Sequence, residues 1–314
     1  METYDLLVLG GGAAGFAAAV TAKEQGASVA VLTLGVGATA VSSGAFDFGP
    51  SARGGLPSDF AARTRHNDWR TPYSKLLANP GVPPSPVEAQ KIFLAIERAL
   101  DFPLKMSWDK ALVLPTSNGH WKPVYVAQAA QACIELYAAA GKKLAFAYHP
   151  SWRLMAQALC RQWEQHALTN FKLKVEILPA VLEALPAMAD APLSVIAVRL
   201  QRDAEFRERM LGSIAEVSQH VDGVLLPPLF WDVKPLSDLQ LELKKPISEC
   251  LGTVEAVPGK RLQDGIFAAL ERAQISVVRA DQVRAEIEGG RVRGLQYWNT
   301  GDTDKKKLQA QRYV

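Results

Sequence analysis

The strand-like run Tyr4-Asp5-Leu6-Leu7-Val8-Leu9 passes directly into Gly10-Gly11-Gly12-Ala13-Ala14-Gly15, and then into an alanine-rich helix, Phe16 to Gln25, that Gly26 closes. Ser28-Val29-Ala30-Val31-Leu32 supplies a second apolar strand and completes a βαβ unit. In that setting the glycines read as a dinucleotide-binding turn. Gly10 lets the chain turn sharply, Gly12 lets the backbone approach a pyrophosphate, and Gly15 lets helix and strand pack closely. The phosphates would rest on the helix N-terminus, where unpaired amides and the positive end of the helix dipole favour an anion. Gly10, Gly11, Gly12, Ala13, Ala14 and Gly15 are therefore the first candidate cofactor contacts, against the alternative of a purely structural βαβ turn.

At the end of the second strand such sites place Asp or Glu against ribose hydroxyls, whereas this chain has Thr33-Leu34-Gly35. Thr33 can exchange one hydrogen bond but cannot give the charge-assisted bidentate contact of a carboxylate. Either the adenosine end of the ligand is held less firmly or is absent, or a residue elsewhere substitutes. Gly37 to Gly49 is small and hydroxylic where another helix is expected, and Ser42, Ser43 and Gly44 suit a flavin: small residues pass close to a flat ring, and hydroxyls and amides bond its heteroatoms. A Ser/Gly surface loop is the bland reading of the same residues.

Several stretches resemble the flavoprotein family of the B subunit of anaerobic glycerol-3-phosphate dehydrogenase, within the fumarate-reductase-like FAD-dependent oxidoreductases. They are the glycine turn, Leu32-Thr33-Leu34-Gly35, Ser42-Ser43-Gly44 with Asp47, Thr71-Pro72-Tyr73-Ser74 with Leu76-Leu77, Leu225-Leu226-Pro227-Pro228, Leu251-Gly252-Thr253, Pro258-Gly259, Arg261-Leu262 and Leu270. The resemblance implies a flavin cofactor, FMN or FAD, with a mononucleotide fitting the missing ribose acid. It also implies an FAD-containing A-type subunit and an iron–sulfur, membrane-attached C-type subunit as partners, with electrons passing from glycerol 3-phosphate toward quinone. The family pattern continues beyond Lys307 to Val314, so the chain reads as truncated at its C-terminus, with an incomplete flavin pocket.

Composition fits a globular protein: 48% of 314 residues are apolar, and the net charge of +3 argues against nucleic-acid binding. The basic run Lys305-Lys306-Lys307 follows a turn and reads as a solvated hairpin end. No positively charged leader precedes the first apolar stretch, and no run reaches the roughly 18 apolar residues of a membrane span. The cytoplasm is the expected compartment, with any membrane contact peripheral and through partners. Cys133, Cys160 and Cys250 form no Cys-x-x-Cys pair and read as free, small apolar residues, leaving iron–sulfur clusters to another subunit. His66, His120, His149, His166 and His220 show no metal-ligand spacing, so no metal site is expected. Trp152-Arg153 and Arg65-His66 could meet a phosphate or a partner, but nothing ties them to the flavin loop, and no catalytic residue is named.

The expected architecture is α/β: a Rossmann-like flavin domain with a three-layer, mostly parallel sheet, from residues 1–86 and 251–314, and an inserted α/β middle domain from 87–250. Pro80, Pro83, Pro84 and Pro86 mark the junction. Helices are expected at Val87–Leu100, Trp152–His166, Phe206–Gln219 and Leu262–Ala273, and strands at 145–148, 173–177, 224–226, 277–278, 283–287, 292–298 and 307–314, with a hairpin at Gly289-Gly290. Besides the dehydrogenase subunit, two functions fit: a stand-alone FAD oxidoreductase of fumarate-reductase or succinate-dehydrogenase type, and a non-catalytic scaffold with the same fold.

Overall fold

The computed structural model describes residues 2–35, 37–46, 86–108, 110–183, 192–252 and 257–314. Asp47, Arg65-His66, Thr71 to Ser74, Leu76-Leu77, Pro80, Pro83, Pro84 and Thr253 lie outside them. The strands, in chain order, are β1 (Glu2–Leu9), β2 (Val29–Thr33), β3 (Ala45–Phe46), β4 (Leu104–Met106), β5 (Leu112–Pro115), β6 (Trp121–Val124), β7 (Val126–Gln128), β8 (Lys143–Tyr148), β9 (Glu176–Val181), β10 (Gly223–Leu226), β11 (Ile247–Glu249), β12 (Ser276–Arg279), β13 (Gln282–Glu288), β14 (Arg291–Trp298) and β15 (Lys306–Tyr313). The α-helices are α1 (Ala13–Glu24), α2 (Pro86–Ala99), α3 (Leu136–Ala139), α4 (Arg153–His166), α5 (Leu193–Arg202), α6 (Ala204–Ser218), α7 (Lys234–Leu243) and α8 (Val257–Arg272). The fold class is α/β, as the sequence led us to expect.

Two compact units share the chain: Met1–Val41, Val87–Asp101 and Lys260–Val314 form one, Ser42–Pro86 and Phe102–Gly259 the other. This division differs from the expected boundaries in three places, one of them being that the first unit resumes at Lys260 rather than at residue 251. The helix α2 goes with the first unit, where Arg272 Nη1 donates to Asp101 at 2.9 Å. The Ser42–Gly44 loop goes with the second.

The first unit is built on a six-stranded sheet ordered β12-β2-β1-β15-β14-β13. The first four strands are mutually parallel, and β14 and β13 run antiparallel at one edge. All five residues of β2 are buried, as are the consecutive Leu7 and Val8 of β1. Burial on both faces is why these central strands read as continuous apolar runs rather than alternating ones. Their common core joins Leu7, Ala30, Leu32, Ala280, Leu295 and Leu308. Gly289 and Gly290, at φ 57° and 75°, make the tight turn between β13 and β14.

The second unit holds an all-parallel sheet ordered β11-β10-β8-β9. Alternate residues of β8 serve opposite faces. Leu144, Phe146 and Tyr148 pack with Ala156, Leu159, Cys160 and Trp163 of α4, while Ala145 and Ala147 join a core with Ile196, Phe206, Met210 and Leu236 from α5, α6 and α7. Helices on both faces give three layers. The strand expected at 173–177 is displaced to β9, the preceding helical segment running on to Phe171 and ending at Lys172 in the left-handed conformation, φ 60°. Pro179 is tolerated there since β9 is an edge strand. Short pairings β3-β7-β4 and β5-β6 join Ala45–Phe46 to four brief strands between Leu104 and Gln128, which the sequence pattern did not disclose.

Candidate functional site: the glycine turn and the Ser-Ser-Gly loop

The turn between β1 and α1 is shaped by main-chain geometry. Gly10 has φ 112°, a conformation that L side chains rarely adopt, and its N–H donates to the Leu32 carbonyl at 2.8 Å. A Cβ on Gly15 would lie 1.8 Å from the Gly10 carbonyl oxygen, so helix and turn approach each other closer than any other residue allows. Gly12 is the N-cap of α1 and offers no side chain to its amides, and the first turn carries no acid. Thr39 Oγ1 accepts from Ala13 N at 2.9 Å, and a Cβ on Gly12 would come within 3.0 Å of that oxygen. The helix N-terminus thus presents main-chain donors without a repelling carboxylate, which suits an anionic pyrophosphate.

Around this turn, Phe267 packs on Gly11, whose Cβ position is 2.9 Å from Phe267 Cε1 and 3.3 Å from Thr33 Cβ. Thr33 is only 5% exposed, and its hydroxyl donates to the Gly35 carbonyl at 3.4 Å. Gln263 of α8, 3% exposed, donates from Nε2 to the Gly11 carbonyl at 2.7 Å. Its Oε1 has no hydrogen-bond partner among the described residues.

Ser42, Ser43 and Gly44 belong to the second unit, whereas Gly10 to Gly15 and Thr33 belong to the first. Two buried glutamines hold the loop. Gln128 Nε2 donates to the carbonyls of Gly44 at 3.2 Å and Pro258 at 2.8 Å, and Gln131 Nε2 donates to the Ser43 carbonyl at 2.9 Å. Gly44, at φ 85°, has no room for a Cβ, which would lie 2.5 Å from Pro258 Cβ and 2.7 Å from Gln128 Nε2. The Ser42 hydroxyl accepts from Gly44 N at 3.3 Å. The loop backbone is therefore fixed by side chains from β7 and the turn after it.

Sequence reasoning did not single out Thr39, Gln128, Gln131 or Gln263. For Gln263 a signal existed: it is a polar residue among Leu262, Ile266 and Leu270 on the buried face of a helix.

Elsewhere, His149 is buried at the C-terminal end of β8 with its Nδ1 2.6 Å from Ser151 Oγ. An open groove of about 1340 Å³, lined by His120, Lys142, Arg161, His166 and Lys174 among others, lies at the N-terminal ends of β8 and β9. Ligands of open α/β sheets sit at the opposite, carboxyl ends. Among the described residues no cluster of three or more His, Cys, Asp or Glu could hold a metal ion, and no helix is long and apolar enough to cross a membrane. Cys160 and Cys250 are buried and Cys133 is partly so, all three as free thiols.

Residues 5–64 match the family described as FAD binding domain. The cofactor is a flavin, FAD in particular, and the turn's open main-chain amides and tight glycine packing fit it. No curated protein matches this chain. Similar solved structures include the 3-ketosteroid Δ1-dehydrogenase from Sterolibacterium denitrificans, 16% identical, covering 99% of this chain and 47% of its own, with a TM-score of 0.41. The 3-ketosteroid-Δ4-(5α)-dehydrogenase from Rhodococcus jostii RHA1 is 14% identical, covering 100% and 45%, with a TM-score of 0.32. The Mycobacterium smegmatis Sdh1 complex is 11% identical, covering 100% and 34%, with a TM-score of 0.31. The chain thus spans less than half the length of each of these proteins.

Proposed function

We propose that this chain is the flavin-carrying part of an oxidoreductase, with FAD seated on the glycine turn. The single observation that carries this reading is the Gly10–Gly15 geometry, a helix N-terminus brought against β1 so closely that only glycine fits. Of Gly10 to Gly15, the main-chain donors of Gly11, Gly12, Ala14 and Gly15 would hold the pyrophosphate, while the Gly10 and Ala13 amides brace the turn on the Leu32 carbonyl and Thr39 Oγ1, with Thr33 beneath it. Taken by itself, the Ser42-Ser43-Gly44 loop carries hydroxyls of the kind that bond a flavin's heteroatoms. The bound flavin supplies the redox chemistry, accepting an electron pair from a reduced substrate and passing it on. The protein's residues position it and exclude water.

The finer reading is a subunit of a quinone-linked glycerol-3-phosphate dehydrogenase, working in the cytoplasm or peripherally on the inner membrane beside an FAD-containing A-type and an iron–sulfur C-type subunit. The sequence resemblance supports it, through the acid-free Leu32 to Gly35 strand end together with Ser42-Ser43-Gly44 and Leu225 to Pro228. The test is anaerobic. Glycerol 3-phosphate should bleach the flavin of this chain only when an A-type partner is present, and quinone should restore it. Bleaching by a different small acid or alcohol without any partner supports a stand-alone enzyme. Absence of bound flavin supports a scaffold.

A further inference from the structure

Gln263 is a buried side chain whose Oε1 has no hydrogen-bond partner among the described residues. The 2.7 Å bond from Nε2 to the Gly11 carbonyl fixes which way the amide faces. Turning it over would set Oε1 against that carbonyl, two acceptors in contact. The free Oε1 therefore points away from Gly11. It lies 3.5 Å from the position that a Cβ on Gly37 would take, a position itself 3.8 Å from Gly12 Cα and 3.9 Å from Gly12 N. The oxygen thus stands between the N-cap of α1 and the turn that follows β2.

Chemistry narrows what can meet it. An amide oxygen only accepts, and ionised phosphate oxygens only accept, so a pyrophosphate on α1 leaves Oε1 unsatisfied. A sugar hydroxyl donates. The loop after β2 is where dinucleotide sites place an acid to receive the ribose hydroxyls, and here Thr33 is turned to the Gly35 carbonyl instead. We propose that Gln263, from a helix more than two hundred residues further along the chain, supplies the ribose acceptor that the end of β2 lacks. The inference rests on the flavin reading above. It gives the binding of the adenosine end to a neutral amide rather than to a carboxylate.

The test pairs a residue change with a ligand change. FAD and FAD analogues lacking the 2′- or the 3′-hydroxyl of the adenosine ribose are titrated into the full chain by flavin fluorescence. The parent should prefer FAD over one of the analogues by roughly three- to tenfold, the worth of one neutral hydrogen bond. Gln263→Lys keeps a donor for Gly11 and removes the acceptor, its added charge acting alike on FAD and on both analogues, and Gln263→Met removes donor and acceptor without adding charge. In either variant the preference should fall to about one. A parent that binds FAD without preference, or a preference that survives in Gln263→Lys, overturns the inference while leaving the flavin reading intact. A parent that binds no FAD overturns both.

Discussion

Gly15→Ala strains the turn at its closest contact. The new Cβ would stand 1.8 Å from the Gly10 carbonyl oxygen, 3.0 Å from the Gly10 carbonyl carbon and 3.2 Å from Val8 Cγ1. A relaxed carbon–oxygen contact is about 3.3 Å, so α1 and the turn must part by about 1.5 Å. The obstacle is main chain and cannot rotate aside. Overpacking of this kind costs about 1–3 kcal/mol, and the upper end, roughly a 150-fold shift in equilibrium, applies where backbone must move. The same displacement carries the first-turn amides of α1 away from the pyrophosphate, so FAD affinity should fall at least about tenfold. Gly212 is the control. It lies inside α6 with nothing within 4 Å of its Cβ position, and alanine there should stabilise by about 0.5–1 kcal/mol without touching FAD affinity. Urea unfolding followed by tryptophan fluorescence, with FAD titration of each variant, measures both effects. Parent-like stability and parent-like FAD affinity in Gly15→Ala would refute the reasoning.

Gly44→Ala should destabilise the second unit by about 1–3 kcal/mol, since it combines φ 85° with a Cβ 2.5 Å from Pro258; an unchanged unfolding midpoint would show that the loop yields freely. Burial, helped by neighbouring His120, holds the His166 pKa below the ordinary imidazole value. The unfolded chain then takes up that proton more readily, so the contribution of His166 is present above about pH 6.5 and is lost as pH falls. Its Nδ1, which accepts from Trp121 N at 3.3 Å, loses that role when protonated. His166→Asn should therefore show a shallower fall in melting temperature from neutral to mildly acid pH, and an identical slope would remove His166 from the explanation. Burial pushes the Cys160 thiol up to about 12 and raises Cys133 and Cys250 as well. All three should label with a disulfide reagent slowly in the native protein and promptly in guanidinium, which prompt native labelling of Cys160 would contradict.

The βαβ start was legible because each signal there is local. Gly10 at φ 112° and Gly26 at φ 86° occupy positions where sequence alone calls for glycine, and the two-sided burial of β1 and β2 writes itself as apolar runs. The Gly289-Gly290 hairpin was legible for the same reason. What escaped depends on distant parts of the chain. Gln263 meets Gly11 across 252 positions, and Gln128 and Gln131 reach back to Gly44 and Ser43 across 84 and 88. The apolar periodicity around Gln263 marks it as buried but does not name its partner, and Gln128 and Gln131 have no such pattern around them. The strands β4 to β7 are three or four residues each, too short to impose a period of two, and β9 was misplaced because Lys172 takes up a left-handed turn that lysine rarely signals.

The flavin itself offers the most direct test. The purified chain, incubated with excess FAD and freed of unbound ligand, should retain a visible flavin band. Acid should then release about one FAD per chain, identified by its retention on chromatography. A colourless protein after that treatment, or release of a flavin other than FAD, would contradict the assignment of the glycine turn as an FAD site.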